Sequence, residues 1–335
     1  MKKIDCHMHL VENIHGIGSK GYLRDLGNGC GMYETGEIVR IIPEEYGNKV
    51  TPDMLVNLMD ENDVEFGIML QGHYAGIQNL YTKEAMDKYP TRLIGACMYD
   101  PFYRKALDIR NHLIKDLGFK IIKMEMSNSS GIMCNHNTVD LNGRMVNELY
   151  SYCEENNIIF FIDIGRPGND CYQVENLKNA IINHPRLTFV VCHLTAPQAN
   201  DLEILKKNMN HLKLDNCYFD IASLYNNVKG PYPFLTTQQY IKEAINIVGS
   251  DKIMWGTDFP SAMKNNSYKD SYTYIEESNI LTKEEKENIL YNNAKKLFSK
   301  LLWRACIFIF HFVSQFAHIA ISPKLLPKVL YMKFM

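Results

Sequence analysis

The sequence has no Cys-x-x-Cys pair, no excess of basic residues and no long apolar run close to Met1. Its nine cysteines are scattered singly, which argues against paired zinc motifs and against the disulfide framework of a small secreted protein. A formal net charge of −2 with dispersed Lys and Arg gives no electrostatic basis for binding nucleic acid. Because no stretch of signal-peptide length follows Met1, we expect a cytoplasmic protein with reduced thiols.

What the chain does contain is enough apolar residues for a large core. It has 335 residues, of which 46% are hydrophobic. A small molecule is the expected partner, since neither charge nor composition indicates a polymer.

Short apolar runs alternate with amphipathic segments along most of the chain. Alternating strands and helices predict parallel pairing, and eight units are what a closed (β/α)8 barrel needs. An open doubly wound sheet is the alternative, but polar residues follow strand after strand, as at the mouth of a barrel. We therefore predict an α/β fold, a TIM barrel over residues 1–298. The expected strands are 4–10, 65–70, 93–98, 119–124, 158–162, 187–192, 217–221 and 252–255.

Two segments depart from this period. Residues 11–49 are polar and rich in glycine, and so long a connection predicts a lid or binding loop over the site. Residues 299–335 form an apolar C-terminal appendage of unknown role. Arg304 and His311 interrupt it, so it is a poor spanning helix, and contact with a membrane is expected only through this tail.

The first strand carries two histidines in the pattern His-x-His. Alternation along a strand places His7 and His9 on one face. Neutral imidazole is the commonest metal ligand, so the pair predicts a site for a divalent cation if other strand ends supply partners.

Those partners exist, since in a barrel the residues just after each strand surround one mouth. The polar strand-end residues are His7, His9, Gln71, His73, Tyr74, Tyr99, Asp100, Glu125, Ser127, Asp163, Arg166, His193, Asp220, Ser223 and Asp258.

Three ordered motifs resemble the amidohydrolase superfamily. They are Ile-Asp-Cys-His-Met-His at 4–9, Val-Val-Cys-His-Leu at 190–194 and Trp-Gly-Thr-Asp-Phe-Pro at 255–260. The similarity is greatest to the amidohydrolase-related branch that holds aminocarboxymuconate-semialdehyde decarboxylase. The closing helix resembles that branch too, so the match spans residues 1–298.

This resemblance implies one divalent metal ion, zinc or manganese. It implies His7, His9 and Asp258 as ligands and His193 as the residue that transfers a proton. Asp258 is expected to take part in catalysis as well, by accepting a proton from water while it ligates. Family members commonly pair, which implies a homodimer.

The fifth strand departs from the family pattern, because Asp163 stands where a histidine is usual. A carboxylate still binds zinc or manganese, so Asp163 is predicted as a fourth metal ligand. It could instead orient a ligand or a water.

Three further residues are predicted to bind substrate. Arg166 suits a substrate carboxylate, with an ion pair to a neighbouring aspartate as the alternative. Tyr74 and His73 follow the second strand and can reach the mouth, although His73 could equally be a hydrogen-bonded loop residue. Lys123 and Glu125 on the fourth strand leave open a second metal ion.

Taken together, the residues predict a metal-dependent hydrolase of an amide, ester or lactone bond in a small carboxylated molecule. The same groups could decarboxylate an unsaturated or aromatic acid. A third reading, prompted by Asp163 and the apolar tail, is a catalytically inactive barrel that binds a ligand.

Overall fold

The computed structural model of the protein describes residues 1–302. Each of the eight predicted barrel strands overlaps an observed strand. In chain order the strands are β1 (Lys3–His9), β2 (Ile17–Gly18), β3 (Gly21–Gly27), β4 (Cys30–Tyr33), β5 (Ile38–Arg40), β6 (Val64–Leu70), β7 (Leu93–Gly95), β8 (Ile121–Glu125), β9 (Ile159–Asp163), β10 (Phe189–Val191), β11 (Cys217–Asp220) and β12 (Ile253–Met254).

Eight of these strands are parallel and close into a barrel. β1, β6 and β7 form one run, and β8 to β12 form the other in chain order. Backbone hydrogen bonds join the runs at both seams. Lys123 N donates to Cys97 O at 3.0 Å, and Asp258 N donates to His7 O at 2.7 Å. The predicted (β/α)8 barrel is thus confirmed, and the open-sheet alternative is wrong.

Helices connect the barrel strands. The first begins after Thr51, because Thr51 Oγ1 accepts a hydrogen bond from Met54 N at 3.2 Å and Pro52 occupies the first helical position. The helices are α1 (Pro52–Glu61), α2 (Asn79–Lys88), α3 (Ala106–Asn111), α4 (Arg144–Glu155), α5 (Val174–Asn183), α6 (Leu202–His211), α7 (Leu224–Val228), α8 (Leu235–Val248), α9 (Asp270–Glu276) and α10 (Lys283–Glu287). After α10 the chain stays helical to residue 302.

The core has an inner and an outer part. The outer one lies between strands and helices, whereas the inner one consists of side chains inside the barrel, such as Phe66, Phe161 and Val190. Phe298 joins this inner core and stacks on Phe161, with ring centroids 6.0 Å apart. The last helix therefore closes the amino-terminal end of the barrel and leaves the carboxyl end open.

Residues 11–49 differ from the predicted loop because they contain a sheet. β2 to β5 form an antiparallel meander in sequential order. The meander contacts the loops that follow β6 and β8, with Ile17 N donating to His73 O at 2.9 Å and Ser19 N donating to Ser129 O at 2.8 Å. It lies beside the barrel mouth, where a lid was expected.

The last described helix runs four residues beyond the predicted domain boundary at 298. Most of the predicted appendage, from residue 303 on, lies outside the described residues, so its separation from the barrel stays a prediction. Within residues 1–302, no helix is both long and apolar enough to cross a membrane. The eight cysteines of this part are free thiols.

Candidate active site

A cavity of about 520 Å³ opens at the carboxyl ends of the barrel strands. The lining includes side chains from both seams and from the strands between them. The predicted site residues in the lining are His7, His9, Tyr74, Asp163, Arg166, His193 and Asp258.

His7 is fully buried and its two ring nitrogens have different surroundings. Nδ1 lies 3.0 Å from Asp220 Oδ2, whereas Nε2 is buried without a hydrogen-bond partner and lies 3.8 Å from Asp258 Oδ1. Burial lowers the pKa of His7 to about 4, against the raising effect of Asp220. The ring is therefore neutral at pH 7, with its proton on Nδ1 and a lone pair on Nε2.

His9 is oriented in the same way by a backbone carbonyl. Its Nδ1 donates to Leu70 O at 3.0 Å, so in the neutral ring the lone pair is on Nε2, which lies 3.1 Å from Asp258 Oδ1. The rings of His7 and His9 are 5.1 Å apart. One ligand atom from each of His7, His9 and Asp258 lies within 4.8 Å of the other two.

This donor set fits a divalent metal ion. His7 Nε2 carries a lone pair and lies 3.8 Å from Asp258 Oδ1, and His9 Nε2 lies 3.1 Å from the same oxygen. A divalent cation among these three atoms would give the lone pair of His7 a partner that its own neutral ring cannot supply. Among residues 1–302, His7 Nε2 is a buried nitrogen with no hydrogen-bond partner, which is what a metal-binding atom without its metal would show.

Asp258 is placed by a strained loop after β12. Its backbone has φ +61°, a left-handed value that is uncommon for residues other than glycine, although aspartate adopts it more often than most. Burial raises the pKa of Asp258, but the neighbouring histidines, His9 first among them, outweigh it and hold the carboxyl ionised. A left-handed backbone at a carboxylate that is partly exposed in a cavity is typical of a functional position.

The buried carboxylate of Asp5 holds this loop against β1. Asp5 Oδ1 accepts from His7 N at 3.1 Å and from Thr257 N at 3.0 Å, and Oδ2 accepts from Tyr268 Oη at 2.8 Å. Burial raises the pKa of Asp5 to about 6, although these hydrogen bonds oppose it. Asp5 therefore holds the two halves of the proposed metal site in register.

His193 follows β10 in a left-handed turn, since residues 193–196 all have positive φ. Its Nδ1 donates to Ala222 O at 2.6 Å, and its backbone N–H donates to Asp220 Oδ1 at 2.9 Å. Nε2 then lies 3.6 Å from Asp163 Oδ2. Burial lowers the pKa of His193, but Asp163 and two further carboxylates raise it to about 10.

Asp163 contacts His193 and is not part of the three-residue cluster. Its Oδ1 also accepts from Gly165 N at 2.8 Å, so the carboxylate is held from two sides. Burial raises the pKa of Asp163, but the contact with His193 lowers it by more. The carboxyl group is therefore ionised. Its role as a metal ligand stays a prediction, and so does the alternative that it orients a ligand or a water.

The fourth barrel strand sends two charged side chains into the cavity. Glu125 Oε1 accepts from Ser130 Oγ at 2.6 Å and from Ser127 Oγ at 3.2 Å. Lys123 Nζ lies 3.9 Å from Glu125 Oε2, and both side chains are almost fully buried. Burial raises the pKa of Glu125, whereas Lys123 and His73 lower it below its usual range.

The three predicted substrate residues lie at different places. Tyr74 lines the cavity and is half-buried, and burial raises its pKa to about 12. His73 contacts the site through Glu125, with Nδ1 3.8 Å from Oε2. Arg166 is exposed at the rim, where its guanidinium donates a long hydrogen bond of 3.5 Å to Asn227.

Asp220 is the functional residue to which the sequence assigned no role. It is fully buried and accepts from the His7 ring, from His193 N and from Ala222 N. It thus orients the ring of His7 and fixes the backbone of His193. Its position at the end of the seventh barrel strand places Asp220 at the mouth. That position alone does not predict that its carboxylate accepts a hydrogen bond from the ring of His7.

The family model described as amidohydrolase matches residues 4–300. No curated protein sequence is significantly similar to the chain. Among solved structures, a probable 2-pyrone-4,6-dicarboxylic acid hydrolase from Acinetobacter baumannii with citric acid bound is 18% identical, with a TM-score of 0.67. The match covers 89% of this chain and 100% of that one.

Two other solved structures have the same fold. An amidohydrolase from Burkholderia multivorans with bound zinc is 15% identical, with a TM-score of 0.65 over 89% of this chain and 99% of that one. The 2,6-dihydroxybenzoate decarboxylase from Rhizobium is 14% identical, with a TM-score of 0.53 over 74% and 88%. These identities establish the fold alone, whereas the family match spans nearly all described residues. The chain belongs to the amidohydrolase family of enzymes, as its three motifs predicted.

Proposed function

We propose that the protein is a metal-dependent hydrolase that cleaves an ester, lactone or amide bond in a small carboxylated molecule. The observation that carries the proposal is the convergence of His7 Nε2, His9 Nε2 and Asp258 Oδ1 on one point in the cavity. Family membership supports it, since the family acts with a metal ion.

His7, His9 and Asp258 would hold the ion, with Asp163 as the predicted fourth ligand. When bound, a divalent ion of this kind activates water at neutral pH and polarises a substrate oxygen. Zinc and manganese both suit a set of two imidazoles and carboxylates. Of the two ions, zinc is the first to test, because the amidohydrolase from Burkholderia multivorans has zinc bound.

The remaining chemistry is proton transfer by side chains of this chain. Asp258 has a carboxylate oxygen at the point where the three proposed ligands converge, so it can accept a proton from a water molecule that attacks from there. His193 presents Nε2 to the cavity while Nδ1 stays bound to Ala222 O. It can therefore protonate the leaving group, and Asp163 stabilises the charged ring between turnovers.

The charges of the lining favour an anionic substrate. Three carboxylates, from Glu125, Asp163 and Asp258, face the positive charges of Lys123 and Arg166. With a divalent ion present, the cavity has a net positive charge whether His193 is protonated or neutral. A carboxylated substrate balances this charge, which agrees with the carboxylic acids named for the structural neighbours.

A decarboxylase is the second candidate, because a decarboxylase from Rhizobium has the same fold. It ranks lower because that structure matches less of the chain, with a TM-score of 0.53 against 0.67 for the hydrolase. The hydrolases also share nearly their full length with this barrel.

The test is a panel of carboxylated lactones, esters and amides together with hydroxybenzoic acids, assayed with zinc-loaded, manganese-loaded and chelator-treated protein. We expect metal-dependent ring opening or bond cleavage by water, and a loss of at least 100-fold in kcat for His193→Gln. Release of carbon dioxide without hydrolysis would favour the decarboxylase. No turnover by a metal-loaded protein on any substrate would contradict both.

A further inference from the structure

Lys123 is a buried cation with no hydrogen-bond partner of its own. Its side chain is 3% exposed and its ammonium lines the cavity. Within residues 1–302, no protein atom accepts a hydrogen bond from Nζ, and the nearest carboxylate oxygen, Glu125 Oε2, lies 3.9 Å away. An ammonium has three donors, and those of Lys123 are available to an acceptor that enters the cavity.

Glu125 does not supply the missing acceptor, because it is held elsewhere. Two serine hydroxyls, of Ser127 and Ser130, fix its Oε1, and His73 Nδ1 lies 3.8 Å from its Oε2. Turning the carboxylate toward Lys123 would break the hydrogen bond of 2.6 Å from Ser130. The arrangement therefore keeps Glu125 at ion-pair distance and leaves the N–H groups of the ammonium available to a ligand in the cavity.

The depth of Lys123 sets it apart from the other cation of the site. Arg166 is exposed at the rim, where water competes for its guanidinium. Lys123 lies on β8, two residues before Glu125, and so deeper in the barrel. An ionic hydrogen bond formed in a water-excluded place discriminates more strongly than one formed at the surface.

We propose that Lys123 Nζ anchors a carboxylate of the substrate on the floor of the cavity. The proposal rests on the proposed function and adds a specificity residue to it. It implies that the substrate enters with its acid group first. Esters or amides of that same acid group should be poor ligands, because they leave the ammonium without an anionic acceptor.

The test compares benzoate with benzamide, which has nearly the same shape and no charge, by isothermal titration of the native protein and two variants. We expect the native protein to bind benzoate at least tenfold more tightly than benzamide. Lys123→Met and Lys123→Gln should both remove this preference. Lys115→Met, which removes an exposed lysine far from the lining, should keep it.

Each measurement is paired with metal content and with thermal unfolding followed by circular dichroism. We expect both Lys123 variants to fold and to keep the metal content of the native protein. An unchanged preference for benzoate in a folded variant, or no binding of benzoate by the native protein, would overturn the proposal. Loss of metal in the Lys123 variants would overturn it too, since Lys123 would then act on the metal site.

The outcome is separate from that of the proposed function. Repeating the titration on chelator-treated protein reports on the anchor without a metal ion. Suppose that the native protein contains no metal and turns over no substrate, but prefers benzoate, and that both Lys123 variants lack this preference. That result would support the carboxylate anchor and contradict the hydrolase.

Discussion

At the scale of single residues, the site depends on which nitrogen of each histidine carries the proton. Asp220 accepts from His7 and Leu70 O accepts from His9, so both rings present Nε2 to the same point. Outer partners of this kind fix ring orientation and tautomer and often matter nearly as much as the ligands. Asp220 is therefore the best single residue with which to test the arrangement without touching a ligand.

Asp220→Asn should lower metal affinity by about 10- to 100-fold while the fold survives. Both oxygens of Asp220 are acceptors, because Oδ1 takes the N–H groups of His193 and Ala222 and Oδ2 takes the His7 ring. An asparagine has one oxygen, so its amide would face His7 and move the ring proton to Nε2. Titration of the metal-free protein with zinc in the presence of a competing chelator measures the affinity.

Asp215→Asn is the matched control, since Asp215 is exposed and lies on the same segment of the chain. Its zinc affinity should equal that of the native protein. Equal affinity of Asp220→Asn and the control would mean that the tautomer of His7 does not matter.

Sequence reasoning reached the site residues to different degrees. His7, His9, His193 and Asp258 could be brought together, because strand ends in a barrel share one rim. The contact of Asp163 with His193 could not, because it depends on a left-handed turn at 193–196 that no residue type there requires.

At the scale of elements, the meander of β2 to β5 forms a wall beside the mouth. Glycines let its backbone approach the neighbouring loops closely. A Cβ at Gly16 would lie 1.6 Å from His73 O, so only glycine fits against the loop of residues 73–76. The glycine content of residues 11–49 indicated a loop. At Gly16, however, the glycine is needed because two backbones pack closely.

Gly16→Ala should destabilise the protein by about 1–3 kcal/mol through overpacking and should separate the meander from the loop that carries Tyr74. Urea unfolding gives the stability change, and limited proteolysis should cleave within residues 11–49 faster than in the native protein. Metal content should not change, because no proposed ligand lies in the meander.

Gly72→Ala is the control for this prediction. A Cβ there meets nothing closer than 3.7 Å, so the variant should unfold at the native urea concentration. A Gly16→Ala protein as stable as this control would show that the meander does not depend on the close approach.

The C-terminal helix is the element that closes the other end of the barrel. Phe298 is fully buried and stacks on Phe161 inside the barrel. Phe298→Ala should lower the free energy of unfolding by about 3–5 kcal/mol, because it removes a large buried ring and leaves a cavity. Chemical denaturation checks the value.

Lys300→Ala, on the exposed side of the same helix, should change stability by less than about 0.5 kcal/mol. A small effect of Phe298→Ala would contradict the conclusion that this helix closes the amino-terminal end of the barrel.

At the scale of the whole molecule, the seam between β12 and β1 both closes the barrel and forms part of the site. Asp258 N donates to His7 O across the seam between β12 and β1, and the side chains of these two residues face the same metal point. Closure of the barrel at this seam therefore brings His7 and Asp258 together. Periodicity predicted the closure, but it does not reveal the substrate, which depends on cavity side chains such as Lys123.

The most direct test of this account is the metal content of the purified protein, measured by mass spectrometry for the native chain, His7→Ala, Asp258→Ala and the exposed control His112→Ala. We predict about one equivalent of zinc or manganese in the native protein and in the control. Both site variants should lose most of it. A native protein without metal after loading, or site variants that keep a full equivalent, would contradict the account.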